Sequence, residues 1–370
     1  MFLKFLKLDW ILVFSVLLLV ATGLISLYSI SSAGASEGMT VFSKQLLFSF
    51  LGITAMFFFA FSNHNYLNIS SRWIYFFALI SLFLVLFFGT EVRGTSGWVG
   101  IAEFRIQPVE FAKIAVVIFM ASFISKKKLK LGEMERLLAS LVLTAVVIFL
   151  VVKQPDFGSA MVIAVTWVGM VLVSGVSRKS LVSIILVACV AVVVSWMLFA
   201  PYQKARIKSF LDPAADPRGS GYNVKQSIIA VGSGGLKGKG IGHGSQSQLN
   251  FLPEKHTDFI FAVISEELGI LGSSLVIFLY GVILYRVKKI AQWSSDNFGY
   301  LLASGFMVMI FAQVTVNIAM NIGFFPVTGI PLPFLSYGGS SLISLFIAIG
   351  ILLDIYSRKD TSKYRSIHSY

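Results

Sequence analysis

The chain has one cysteine, Cys189, among 370 residues. A single thiol excludes an intrachain disulfide framework, and its place inside the apolar run Leu181–Ala200 argues against redox chemistry. Charge is scarce as well: Asp, Glu, Lys and Arg make up 13% of the residues, against about 25% in soluble domains. No internal repeat stands out, so the inverted-repeat pattern of secondary transporters has no support. There is no low-complexity stretch and no separate soluble domain. A nucleotide loop is missing too. Gly238-Lys239 has Ser233 where a Walker A loop needs its first glycine and Gly240 where it needs Ser or Thr, and the glycine run holds no G-x-G-x-x-G.

Hydrophobic residues account for 56% of the chain and mean hydropathy is +0.84. Apolar runs predict ten helices: Trp10–Ile30, Leu46–Phe61, Trp73–Gly89, Gln107–Ile124, Leu137–Val152, Gly158–Gly175, Leu181–Ala200, Phe259–Tyr285, Tyr300–Asn321 and Ser340–Tyr356. Spanning a bilayer takes about 20 apolar residues; the second and fifth runs fall short of that. The expectation is an all-α polytopic membrane protein, one integral domain over residues 1–370. Lys4 and Lys7 before an apolar run, with Ala33-Gly34-Ala35 after it, imitate a signal peptide. The run is longer than a signal core, so it reads as a retained first helix.

The formal charge of +13 would suggest nucleic acid in a soluble protein. Here the positive-inside rule explains much of it. With the N-terminus in the cytoplasm, Lys4/Lys7, Arg72, Lys126/Lys127/Lys128/Lys130/Arg136, Arg178/Lys179, Arg286/Lys288/Lys289 and Arg358/Lys359/Lys363/Arg365 all fall inside. Ten spans return the C-terminus to that side. The loop 202–258, between the seventh and eighth helices, then lies outside with a cationic excess. A loop approaching 60 residues can escape the rule. The alternative is an anionic ligand at the outer face.

The segment Gly232–Gly269 is glycine-rich, cationic and carboxylate-bearing, and holds Lys237, Lys239, Lys255, His256, Asp258, Glu266 and Glu267. Its glycines offer backbone freedom, and exposed N–H groups beside Lys237 and Lys239 would make an anion-binding nest; the alternative is a flexible loop. Thr257 or Asp258 suits a helix cap; equally, Asp258 suits a general base tuned by burial and nearby cations. His256, Asp258 and His243 are the conceivable metal ligands, although they lack close ligand spacing. Glu110 and Lys113, three residues apart, share a helix face at membrane depth, where ionisable residues usually serve a cavity or each other. Lys153-Gln154-Pro155-Asp156 is a short outer loop of similar chemistry. Residues Asn321–Ser341 contain glycines and prolines enough for a broken, re-entrant connection, which is tolerated where it lines a wet cavity. Ser336, Tyr337, Ser340 and Ser341 are candidates for that lining.

Four blocks, in order, resemble the SEDS family (shape, elongation, division and sporulation proteins) over nearly the whole chain. They are Phe104-Arg105-Ile106-Gln107-Pro108-Val109-Glu110-Phe111-Ala112-Lys113, Gln154-Pro155-Asp156-Phe157-Gly158, the outer loop, and Pro331-Leu332-Pro333-Phe334-Leu335-Ser336-Tyr337-Gly338-Gly339-Ser340. The stretch from Gly244 to Phe259 resembles the family's rod-elongation branch more than its division branch. Val109 stands where a serine is common, and Gly97-Trp98 replaces a usual Arg-Trp.

The resemblance implies a ten-helix peptidoglycan glycosyltransferase of the cytoplasmic (inner) membrane, acting on lipid II at the outer face during cell elongation. Its partners would be the nascent glycan strand, a class B penicillin-binding protein supplying transpeptidation, other elongation-complex proteins and membrane lipids, with no nucleic acid. Asp258 matches the family's essential aspartate; Glu110, Lys113 and Asp156 match its cavity residues. Attack by a sugar 4-hydroxyl on a lipid pyrophosphate donor needs a base and cations, or a divalent metal ion, at the leaving group. Asp258 is the candidate base; Lys113, Arg206, Lys237 and Lys239 are candidates for the pyrophosphate, and His256 and Ser336 for the cavity wall. No organic cofactor is called for. The same cavity and cations would serve a lipid flippase or transporter, and a noncatalytic scaffold for a synthase is the third class.

Overall fold

A computed structural model of the protein describes residues 2–32, 37–92, 94–101, 104–126, 132–177, 179–180, 182–183, 186, 201–212 and 219–359. The helices, in chain order, are α1 (Phe2–Leu6), α2 (Trp10–Ser32), α3 (Glu37–Phe61), α4 (His64–Phe88), α5 (Pro108–Ser125), α6 (Glu133–Lys153), α7 (Phe157–Val173), α8 (Pro201–Leu211), α9 (Ser220–Ser233), α10 (Ser245–Gln248), α11 (Ile260–Trp293), α12 (Asn297–Asn321) and α13 (Gly339–Ser357). Eight of them, α2 to α6 and α11 to α13, are long and apolar enough to cross a bilayer. The sixth expected run is α7, 17 residues long. The seventh, Leu181–Ala200, lies largely outside the described residues, as do Cys189, Lys127, Lys128, Lys130, Arg178, Ala33, Gly34, Ala35, Lys363 and Arg365.

The two runs that looked short are full helices. α3 has 25 residues and α6 has 21, because each extends through a polar first turn that hydropathy does not see. Local chemistry fixes the starts. α5 opens on Pro108, where the missing N–H would be unsatisfied in any case. At α6 the Glu135 carboxylate accepts the Gly132 N–H at 3.0 Å. One departure from an all-helical chain sits between α4 and α5. Strands Thr90–Val92, Thr95–Ile101 and Phe104–Ile106 form a small antiparallel sheet in chain order. Its strands are too short to carry a clear period-two signal.

Close helix approach uses small residues, as expected where lipid offers no hydrophobic drive. A Cβ on Gly350 of α13 would meet the Met56 carbonyl of α3 at 2.3 Å, and one on Gly52 would meet the Phe346 ring at 2.2 Å. The bundle has two distinct polar ends. At one, buried Asp354 of α13 receives Lys4 Nζ at 2.6 Å, His64 Nδ1 at 2.7 Å and Arg358 Nε at 3.0 Å. Arg286 near the end of α11 pairs with buried Asp9 at 2.7 Å. At the other end, the start of α5 meets the start of α13, with Gln107 N–H donating to Ser340 Oγ at 2.9 Å.

Candidate active site

Asp258 closes a turn immediately before α11 and is partly exposed. Its backbone carbonyl accepts Asn317 Nδ2 at 3.0 Å and Asn321 Nδ2 at 2.9 Å. These two amides are buried one turn apart on α12. Asn317 also donates to the Ile330 carbonyl at 2.7 Å, and Asn321 Oδ1 accepts the Ala262 N–H at 3.1 Å. The amide pair thereby joins the first turn of α11 to the proline-glycine block. That block grips the turn from the other side. Ser336 Oγ donates to the Thr257 carbonyl at 2.5 Å and accepts the Leu332 N–H at 2.8 Å, while the Tyr337 N–H donates to the His256 carbonyl at 2.8 Å. The Tyr280 hydroxyl donates to the Pro333 carbonyl. Carbonyls 256, 257 and 258 are all held, so the backbone of the carboxylate-bearing turn is fixed.

The segment Val327–Ile330 passes beside this turn. Gly329 has φ +75°, and a Cβ there would lie 3.8 Å from Asp258 Oδ2. The left-handed backbone calls for glycine here, while a Cβ would make only ordinary contact with the carboxylate. Thr328 and Ile330 pack on Gly158 at the start of α7, where a Cβ would come within 2.7 Å of each. Arg206 of α8 donates through Nη1 to the Val327 carbonyl at 3.5 Å. One extended segment therefore touches Asp258, Arg206 and the first turn of α7.

That first turn carries the second polar cluster. Asp156 caps α7, with Oδ1 accepting the Ser159 N–H at 2.9 Å and Oδ2 accepting Gln107 Nε2 at 3.2 Å. Burial pushes the Asp156 carboxyl above its ordinary value; the Ser159 hydrogen bonds and the Lys113 charge oppose that rise. Lys113 and Glu110 are buried together, Nζ to Oε1 2.8 Å. Glu110 Oε2 is buried with no hydrogen-bond partner among the described residues. A buried, unsatisfied carboxylate oxygen beside a lysine suits a polar ligand's donor.

The glycine run does something other than form an anion nest. α11 breaks at Gly269, with φ 65° and ψ −160°. The N–H groups of Ile270 and Leu271 turn to the carbonyls of Gly235 and Leu236, at 2.9 and 3.3 Å. The carbonyls of Glu266 and Glu267 accept the N–H groups of Lys239 and Gly240, both at 3.0 Å. The loop splices a broken helix, and the N–H groups expected to bind anions are already engaged. Lys239 is paired as well, 2.9 Å from Glu266 Oε1, and Lys237 is exposed on the same turn. Both stand near the far end of the Ile260–Leu268 segment from Asp258. Nine helical residues at about 1.5 Å each separate the two ends. Glu266 also accepts the N–H groups of Gln246 and Ser247, and Glu267 Oε1 accepts Ser29 Oγ at 2.6 Å, so this acidic pair is structural.

Ser336 is a backbone clamp with both bonding directions filled. His256 flanks the turn, partly buried, and offers its carbonyl to Tyr337. His243 is exposed, its Nδ1 2.9 Å from the Ile241 carbonyl. No group of three or more His, Cys, Asp or Glu side chains forms a metal site among the described residues, so His243, His256 and Asp258 do not make one. Sequence reasoning missed Asn317, Asn321, Gln107 and Gln45. Gln45 grips the block through the Ser336 carbonyl and the Gly338 N–H. The available signal was two amides four residues apart inside an apolar run, since polar groups at that depth are costly unless partnered.

Residues 9–361 match the FtsW/RodA/SpoVE family, described as cell cycle protein. The chain is 39% identical over 359 residues to stage V sporulation protein E of Bacillus subtilis (strain 168), covering 95% of this chain and 98% of that one. It is 42% identical over 293 residues to peptidoglycan glycosyltransferase MrdB of Escherichia coli (strain K12), covering 79% of each. A solved structure described as the structural coordination of polymerization and crosslinking by a peptidoglycan synthase complex aligns with a TM-score of 0.80 at 29% identity, covering 95% of this chain and 99% of that one.

Proposed function

Because this chain belongs to the SEDS family of FtsW, RodA and SpoVE proteins, we propose that it is a peptidoglycan glycosyltransferase that joins lipid II disaccharides into glycan strands, with Asp258 as general base. The observation that carries the reading is the fixed turn at Asp258, whose partly exposed carboxylate faces a glycine and adjoins a segment leading to Arg206 and to the Asp156 cluster. Asp258 takes the proton of the acceptor 4-hydroxyl as that oxygen bonds to the donor anomeric carbon. The carbon–oxygen bond to the lipid pyrophosphate breaks, and the electron pair leaves with the phosphate. Arg206 is the cation at the Val327–Ile330 segment and the first candidate to stabilise that charge, followed by Lys113. Lys237 and Lys239 stand near the far end of the helix and are weaker candidates.

The enzyme sits in the cytoplasmic membrane with the Asp258 end outside and both termini inside. The gathering of Lys4, Arg286 and Arg358 at the opposite end of the bundle supports that orientation. Cell elongation, with a class B penicillin-binding protein as partner, is the proposed setting, supported by the similarity to MrdB and to the synthase-complex structure.

The test is polymerisation of lipid II by purified protein in detergent, with and without the transpeptidase partner. A flippase needs a sealed bilayer to act on; a polymerase does not. Asp258→Asn should keep the turn and lose polymerisation. Residual activity above about a tenth of wild type would reject Asp258 as base, since general-base catalysis is worth roughly 10²–10⁴-fold.

A further inference from the structure

At the bundle end opposite Asp258, a cleft of about 200 Å³ opens between α4 and α5. It is lined by Ser71, Arg72, Phe119, Ser122, Phe123 and Lys126. Its place follows from α5, whose first two turns carry Glu110 and Lys113 and whose C-cap is Lys126. Eighteen residues separate the two ends; at 1.5 Å per residue that is about 27 Å, close to the hydrocarbon thickness of a bilayer, about 30 Å.

The floor of the cleft is closed. Ser71 Oγ donates to the Asn68 carbonyl and to Ser122 Oγ, both at 2.9 Å, and Ser122 Oγ lies 2.7 Å from Asn68 Oδ1. Those hydroxyls satisfy one another and tie α4 to α5. The aromatic wall is ordered too. Phe119 stacks on Tyr75 at 4.3 Å and on Phe123 at 6.1 Å. What the cleft leaves over is two cations. Arg72 is exposed, Lys126 is half-buried, and neither has a carboxylate, hydrogen-bond or ring partner through its side chain among the described residues. Several other cations at this end are partnered, Lys4 and Arg358 with Asp354, Arg286 with Asp9 and Lys359 with Tyr356, whereas Lys7 and Lys288 are exposed and line no such cleft.

We propose that this cleft is a binding site for an anionic phospholipid, its phosphate on Arg72 and Lys126 and its acyl chain along Phe119 and Phe123. An apolar slot at the depth of acyl chains, with paired positive charge at the headgroup level and no internal counter-charge, fits that amphiphile. A soluble phosphate would leave the aromatic wall in contact with lipid tails; a zwitterionic lipid would place its ammonium against two cations. Basic recesses between helices on the cytoplasmic side are a recurrent form of lipid recognition. The site lies in the leaflet opposite Asp258, so it is separate from the proposed chemistry.

The test uses the full chain in phosphatidylcholine vesicles doped with a phosphatidylglycerol that carries a diazirine in its acyl chain. Photolabelling should map to α4 and α5 around Phe119 and Phe123. Unlabelled phosphatidylglycerol should compete, and phosphatidylcholine should not. R72Q/K126Q should lower this labelling by on the order of fivefold per cation removed, the weight of one basic side chain at an anionic surface. K288Q/K289Q removes the same charge elsewhere and should leave it unchanged. Both variants are checked for a wild-type size-exclusion profile, and R72Q and K126Q alone serve if the double variant fails it. Equal labelling in the R72Q-type and control variants, or equal competition by phosphatidylcholine, would overturn the site.

Discussion

Lys113 lies between two carboxylates, and that position predicts an asymmetric response to mutation. It pairs with Glu110 at 2.8 Å, and its charge also acts on Asp156. Lys113→Met removes the only cation of the trio and leaves two buried acids facing each other. Glu110→Gln leaves Lys113 with Asp156 as counter-charge. Removing one partner of a buried pair costs about 3–5 kcal/mol. Lys113→Met should fall in that range, and Glu110→Gln well below it. The double variant should recover part of the loss, with a coupling energy on the order of 0.5–3 kcal/mol. Its polymerising activity should stay low, because the cation is still gone. The loss in Lys113→Met should also depend on pH. Without Lys113, the Asp156 carboxyl rises further above its ordinary value, because the charge opposing the effect of burial is gone. A raised native value means stability is greatest below the unfolded value and declines as pH climbs to the native one. Lys113→Met should therefore regain stability relative to wild type as pH is lowered towards 4, the ordinary aspartate range being about 3.9. Tryptophan-monitored unfolding in mixed micelles, at several pH values, reads all of this. Simple additivity, or a Glu110→Gln loss larger than that of Lys113→Met, would refute the argument.

Asn321→Leu should lower activity while Asp258 remains, because it removes one of the two amides holding the Asp258 carbonyl and frees the Ala262 N–H. Each buried group left unsatisfied costs about 1–3 kcal/mol, visible in the same unfolding assay, and unchanged activity would remove the amide pair from the site. Lys239→Gln should loosen the loop and raise its protease sensitivity, whereas Lys237→Gln should change neither stability nor lipid II kinetics; a kinetic defect confined to Lys237→Gln would return the pyrophosphate to the loop. In a Cys189→Ser background, Leu249→Cys should react with an impermeant thiol reagent in intact cells or spheroplasts, and Lys288→Cys only after permeabilisation. The reverse pattern would invert the proposed orientation.

The spans were legible because bilayer crossing needs long apolar runs, and the structure departs from them mainly at polar first turns. Glu110 and Lys113 were legible as a pair for the same reason: charge at membrane depth stands out, whereas Asp156 joined them only through the family resemblance. The sequence did not show where the glycine loop would dock. Lys237, Lys239 and Asp258 are near neighbours in sequence, which suggested one ligand. Their separation depends on the break at Gly269 and on backbone bonds to Gly235 and Leu236, and such bonds leave little trace in side-chain chemistry. Gly234 and Gly238 are there because their Cβ atoms would strike the Ser265 and Glu267 carbonyls at 1.9 and 2.1 Å. A serine could be assigned to a cavity by its neighbours in sequence, as Ser336 was, yet only coordinates reveal that its hydroxyl is already occupied on both sides.

The splice at Gly269 has a mechanical consequence. A bare kink is a hinge, and the nine residues between Ile260 and Leu268 would swing on it. Here four backbone hydrogen bonds cross the break, two to each half of the helix. Bending it requires all four to stretch together, so the short half, the loop and the Asp258 turn behave as one stiff lever. Leu236 and Ile241, 70% and 50% exposed, stand on the outer face of that lever. A force applied to them reaches the carboxylate along the helix axis, without a chain of side-chain rearrangements in between.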